Sequence, residues 1–294
     1  MVKKIYFMII FLVFQAIAAP RSLALLEVEM KCGSISNDEY WLRYCLHTVP
    51  QSINTDLLYY FHGNGGSEYS WGDSDFYYSV YGQWGLNAPQ VLSISYGPTW
   101  LLADKASSNL GGMYEHFVNF AIPTLESTLS IYPTHRLLFG ISMGGFNAAQ
   151  LYLKSPKLFS KVALGCPAIS TLAPDASYVD INAYVKRTHA DYYYVSNALQ
   201  FVASYYPDHE SWSKADPLAL AAKNVTPQFP PLHISCGDLD EYGFFEGAKK
   251  MADLVRARGG PVEWHLLHGY HCTVDGVNMA NFFTSREYSL PSRD

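Results

Sequence analysis

Apolar residues in this chain fall into short continuous runs that end near glycine. Leu57-Leu58-Tyr59-Tyr60-Phe61 leads into His62-Gly63-Asn64-Gly65-Gly66-Ser67. Val91–Ser95, Arg136–Phe139, Lys161–Gly165, Leu232–Cys236 and Val262–Leu267 repeat the form. Runs of this length suit strands buried on both faces, as in a parallel sheet. Between them the period lengthens. Met113–Tyr132 carries Phe117, Phe120, Ile122 and Leu125 at helical spacing. Phe146–Lys154 reads as a helix stopped by Ser155-Pro156, Phe244–Arg258 as one stopped by Gly259-Gly260-Pro261, and Val274–Phe283 as a final helix. Ahead of the series, Ala24–Met30 and Trp41–His47 read as hairpin strands around a polar turn holding Gly33, Ser34 and Asn37-Asp38. The alternation predicts an α/β fold: a mostly parallel central sheet with helices on both faces and an N-terminal β-hairpin. Crossovers should be right-handed, and a site should gather at the carboxyl ends of the strands.

The alternation breaks over residues 169–231. This stretch is too long for a bare connection and carries Tyr178, Tyr184, Tyr192-Tyr193-Tyr194, Phe201, Tyr205-Tyr206 and Trp212. It reads as a mostly helical, lid-like insertion over the strand ends. A plain helical crossover with aromatic packing is the alternative.

The start of the chain has a different logic. Lys3 and Lys4 precede an apolar run, Ile5–Phe14, too short to span a bilayer comfortably, and Ala16-Ile17-Ala18-Ala19 offers small residues for cleavage. Residues 1–19 therefore read as a removable signal peptide, and 20–294 as a single domain without an integral membrane segment, secreted or periplasmic. The net charge of -6 argues against nucleic acid or anionic membrane as the main partner. Export lets Cys32 and Cys45 clip the hairpin. Cys166, Cys236 and Cys272 remain, an odd number that leaves at least one free thiol. All five reduced and buried is the competing reading. No cysteine pair has zinc-finger spacing, so no metal is expected.

The candidate chemistry centres on Arg136-Leu137-Leu138-Phe139-Gly140-Ile141-Ser142-Met143-Gly144-Gly145. A serine on a sharp turn between strand and helix needs small residues two positions to either side, and the helix N-terminus behind it favours developing negative charge. A serine hydroxyl also needs a base, an orienting acid and an oxyanion hole. His268 and His271 both follow the last strand. His271 is favoured because it lies further into the loop, with Gly269 free to fold back. Asp238, Asp240 and Glu241 follow the preceding strand. Asp240 is favoured for its distance past the glycine turn, with the other two as alternatives. The N–H groups of Asn64 and Met143 are expected to form the oxyanion hole. His62, Gly63 and Gly65, in the same loop as Asn64, are expected to meet substrate. Cys272 beside His271 raises a Cys–His nucleophile, disfavoured because loop neighbours point apart.

The order His62-Gly63-Asn64-Gly65-Gly66, Gly140-Ile141-Ser142-Met143-Gly144-Gly145, Gly237-Asp238-Leu239-Asp240 and Gly269-Tyr270-His271 resembles the α/β-hydrolase superfamily. It looks most like the esterase D, feruloyl esterase and antigen 85 branch, from about Leu57 to Phe283. The resemblance implies a serine esterase working through an acyl-enzyme without a cofactor. It makes the position of Ser142 nucleophile, that of His271 base, and Asp240 acid, or Glu241 on the antigen 85 pattern. Cys272-Thr273 stand where the branch usually has an aromatic residue. The substrate would be a small-molecule, carbohydrate or lipid ester. The alternatives are an acyltransferase of the antigen 85 type and an inactive binding protein on the same fold. Oligomeric state is not legible.

Overall fold

The computed structural model describes residues 26–104 and 112–285. The expected signal peptide lies outside them, as do Ala24 and Leu25 of the expected first strand. The described strands are β1 (Glu29–Ser36), β2 (Trp41–Thr48), β3 (Leu57–Phe61), β4 (Gln90–Ser95), β5 (Arg136–Ile141), β6 (Lys161–Gly165), β7 (Leu232–Gly237) and β8 (Val262–Leu267). They form one open sheet in the order β1-β2-β4-β3-β5-β6-β7-β8. β1 and β2 run antiparallel, β2 pairs antiparallel with β4, and every later pairing is parallel.

The described helices are α1 (Tyr77–Trp84), α2 (Met113–His116), α3 (Ile122–Leu129), α4 (Met143–Lys154), α5 (Tyr178–Thr188), α6 (Tyr192–Tyr205), α7 (His209–Ser213), α8 (Pro217–Asn224), α9 (Phe244–Ala257) and α10 (Gly276–Thr284). The two-residue period of the strands divides the core. Leu57, Tyr59 and Phe61 face a cluster with Phe146, Leu151, Met251 and Val255 from α4 and α9. Leu58 and Tyr60 face the opposite cluster with Val80, Trp84, Met279 and Phe283 from α1 and α10. Both faces of β3 are therefore buried, which is why its sequence is apolar without alternation. The segment between β6 and β7 holds four helices, α5 to α8. Of these α8 packs on α4 and α9.

Two expectations need correction. The first strand is Glu29–Ser36 rather than Ala24–Met30, so Gly33 and Ser34 lie within it. The turn narrows to 37–40, where Asn37 Oδ1 accepts the Glu39 and Tyr40 N–H groups at 3.1 and 2.8 Å. β1 is an edge strand exposed along nearly its whole length, so burial imposes no apolar pattern on it. It is held to β2 in a register that sets Cys32 opposite Cys45, and these two are disulfide-bonded. The expected helix over 113–132 is broken. Phe117–Ala121 adopts a wide π-helical turn between α2 and α3, and the helix ends at Leu129. No described helix is long and apolar enough to cross a membrane.

Candidate active site

β5 delivers Ser142 to the carboxyl edge of the sheet, and α4 begins at the next residue. Ser142 has φ 54° and ψ −117°, a left-handed backbone that a non-glycine residue adopts at a cost. The glycines around it are sterically required. A Cβ on Gly140 would lie 2.1 Å from the Gly144 carbonyl oxygen, and one on Gly144 would lie 2.1 Å from the Phe61 carbonyl oxygen. The turn is fixed from both sides: the Ser142 N–H donates to Gly165 O at 2.9 Å, and its carbonyl accepts from Phe146 and Ala168 at 3.0 and 2.9 Å.

The loop after β8 brings His271 over this serine. His271 Nε2 lies 2.8 Å from Ser142 Oγ, and His271 Nδ1 lies 2.6 Å from Asp240 Oδ2. The Asp240 side chain is fully buried. Its second oxygen, Oδ1, accepts the Tyr242 and Phe244 N–H groups at 2.8 and 3.4 Å. Rings of Tyr242 and Phe244 pack on the imidazole, with centroids at 4.6 and 5.7 Å. Burial acts first on His271 and pulls its pKa down. The bond to Asp240, the adjacent Cys272 sulfur and the Asp240 charge together outweigh it, and the net direction is well above the ordinary imidazole value.

The other candidates take different places. His268 is largely exposed and pairs with Asp238 at 3.1 Å, away from Ser142. Asp238 also accepts the Gly269 N–H at 3.0 Å, and Glu241 accepts the backbone N–H of His271 at 2.9 Å. Both carboxylates thus shape the loops that carry the histidine, while only Asp240 meets its ring.

Opposite the imidazole stands the loop after β3. A Cβ on Gly63 would come within 3.9 Å of Ser142 Oγ, so this backbone abuts the serine. Among the described residues no protein acceptor takes the N–H of Asn64 or of Met143. Gly65 is engaged elsewhere, donating its N–H to Pro98 O at 2.8 Å. His62, expected to meet substrate, is fully buried beneath the loop. Its Nδ1–H donates to Gly63 O at 2.7 Å, and its Nε2 accepts Trp100 Nε1–H at 3.1 Å. Burial lowers the His62 pKa, which suits this neutral tautomer. The Trp100 N–H meets Met143 Sδ at 3.3 Å, and Asn147 of α4 bonds the backbone of Trp100 and Leu102 at 3.2 and 2.8 Å. Trp100 and Asn147 thereby tie the 98–102 segment to the serine helix. Neither shows a sequence signal beyond a polar residue in an apolar helix and one tryptophan among six.

A cavity of about 130 Å³ opens beside Ser142 and Met143, walled by Leu101, Phe146, Leu172, Leu199, Phe201 and Trp212. A half-buried hydroxyl on a strained turn, an imidazole bonded to it, a buried carboxylate behind and two N–H groups without a protein acceptor among the described residues can together carry out acyl transfer to and from serine.

Comparison with known proteins supplies the family. Residues 47–286 match the family described as "Putative esterase". No curated protein matches at the level of sequence. Among solved structures, a ferulic acid esterase has a TM-score of 0.63 at 12% identity, covering 87% of this chain and 95% of its own. An S-formylglutathione hydrolase from Agrobacterium tumefaciens has 0.61 at 15%, covering 87% and 93%. Brefeldin A esterase, a bacterial homologue of human hormone-sensitive lipase, has 0.64 at 16%, covering 90% and 75%. At such identities these likenesses speak for the α/β-hydrolase fold alone. The family match spans most of the chain, and so the chain belongs to the esterase family, the carboxylic ester hydrolases built on an α/β-hydrolase fold.

Proposed function

We propose that this protein is an exported serine esterase that cleaves carboxylic esters through an acyl-enzyme, with Ser142, His271 and Asp240 as its triad. The observation that carries the reading is the unbroken line of bonds, 2.8 Å from Ser142 Oγ to His271 Nε2 and 2.6 Å from His271 Nδ1 to Asp240 Oδ2. Neutral His271 takes the Ser142 proton as Oγ attacks the ester carbonyl. Asp240 steadies the imidazolium, and the N–H groups of Asn64 and Met143 hold the oxyanion. His271 then protonates the departing alcohol. Water repeats the sequence and frees the acid.

The buried His62–Gly63 bond supports the oxyanion assignment, since it turns the peptide between Gly63 and Asn64 so that the carbonyl faces inward. The cavity supports an uncharged, compact acyl group. Its volume of about 130 Å³ is close to the roughly 150 Å³ apolar void known to accept benzene. The Cys32–Cys45 bond supports an oxidising compartment, in keeping with residues 1–19 as a signal peptide.

The test is hydrolysis of p-nitrophenyl esters of increasing acyl length by the mature protein. Short acyl chains and a single ring should be cleaved and long chains refused. Ser142→Ala should lower kcat by about a millionfold, by analogy with other serine triads. A Ser142→Ala protein that keeps most of its activity would overturn the assignment.

A further inference from the structure

Beneath the proposed triad lies a second set of reactive groups. Cys166 follows β6 directly and Cys236 lies in β7, the neighbouring parallel strand. The Cys166 N–H donates to Ser235 O at 2.7 Å, which extends the ladder and brings the two cysteines level. Both are buried and neither is in a disulfide. The sulfurs of Cys166 and Cys236 and a carboxylate oxygen of Asp240 all lie within 4.8 Å of one another.

We propose that Cys166, Cys236 and Asp240 form a binding site for a thiophilic divalent metal ion such as Cd²⁺ or Zn²⁺. Around a tetrahedral ion with sulfur at about 2.3 Å and oxygen at about 2.1 Å, ligand atoms stand roughly 3.5–3.8 Å apart. Cys236 Sγ already lies 3.5 Å from Asp240 Oδ2, so at most about 1 Å of closure is needed elsewhere. The carboxylate is held for the task, because Oδ1 is anchored on the Tyr242 N–H at 2.8 Å while Oδ2 faces the sulfurs. On binding, two S–H bonds break, two metal–sulfur bonds form and two protons leave to solvent. No oxidant is involved. The bound ion takes the oxygen that His271 Nδ1 uses, 2.6 Å away, so it switches the esterase off. That consequence rests on the role given to Asp240 above.

The experiment is a Cd²⁺ titration of the mature protein with the Cys32–Cys45 disulfide intact and Cys166, Cys236 and Cys272 as free thiols. The expected result is an ultraviolet cadmium–thiolate band that saturates at one ion per chain, with activity falling at least about 100-fold and returning on chelation. Cys166→Ser should abolish the band and keep its activity in Cd²⁺, whereas Cys272→Ser should keep the band. In the wild-type protein, binding should release two protons per Cd²⁺ into a weakly buffered solution, a readout that needs no variant to fold. Absence of the band, a band that survives Cys166→Ser, or peptide mapping that finds Cys166 linked to Cys236 would overturn the site. A band without loss of activity would uphold the site and overturn the role of Asp240.

Discussion

Replacing Asp240 by asparagine isolates what the buried carboxylate does. The change is isosteric. Asparagine can still accept the Tyr242 N–H at the position of Oδ1, so the loop keeps its anchor. What changes is the group facing His271 Nδ1, now 2.6 Å from a carboxylate oxygen. An amide NH₂ there forces Nδ1 to accept, which moves the ring proton to Nε2. That proton then points at Ser142 Oγ, 2.8 Å away, and the imidazole cannot receive the hydroxyl proton. A wrong tautomer in a serine triad costs about 10⁴ in kcat, or about 5 kcal/mol of transition-state stabilisation. The variant should therefore lose about four orders of magnitude in kcat with little change in KM, measured with a saturating p-nitrophenyl ester. Its melting temperature should stay near that of the wild type. Glu241→Gln is the control, because the Glu241 carboxylate meets the backbone N–H of His271 rather than its ring, and an amide oxygen can accept the same bond. An Asp240→Asn enzyme within tenfold of wild type, paired with an inactive Glu241→Gln, would show that the acid has been misplaced.

The pH profile should carry the same signature. The His271 pKa is raised in the folded protein, so its neutral, basic form fills only above the ordinary imidazole range. The acid limb of kcat/KM should have its midpoint above pH 6.5, and a midpoint at or below that value would contradict the environment described. The same shift adds stability that is complete below the unfolded pKa of about 6.5 and fades as pH rises through the folded value. Gly144→Ala should cost roughly 3 kcal/mol in urea unfolding, because its Cβ would strike the Phe61 carbonyl oxygen, a backbone atom with little room to yield. An unchanged urea midpoint would show that the turn has slack. Replacing Cys32 and Cys45 together by alanine should cost about 3 kcal/mol through the loop they close, with a sequence separation of 13 residues. No loss would mean that β1 stays paired in the unfolded ensemble.

The parts of this fold that could be read from sequence are those where burial leaves no choice. β3, β5, β6 and β7 are apolar because both faces are covered, and the glycines at 140 and 144 are present because backbone passes within 2.1 Å of where a Cβ would sit. β1 escaped because an exposed edge strand has no such constraint. α1 escaped as well. It lies in a stretch dense in tyrosine and tryptophan, where aromatic contacts such as Tyr77–Tyr81 at 4.8 Å replace a clear apolar stripe. At the site, sequence order narrows the acid to three neighbours, but only packing separates them. Asp240 turns inward to the ring, while Asp238 and Glu241 turn to loop N–H groups. The ties made by His62, Trp100 and Asn147 depend on segments brought together by the fold, and no local pattern marks them.

The proposed chemistry begins at one reactive oxygen, and covalent labelling reaches it most directly. A fluorophosphonate probe added to the mature protein should give a single adduct by intact mass, with peptide mapping assigning it to Ser142. His271→Ala and Ser142→Ala should remain unlabelled under the same conditions. An adduct on another residue, or full labelling of Ser142→Ala, would contradict the assignment of Ser142 as the nucleophile.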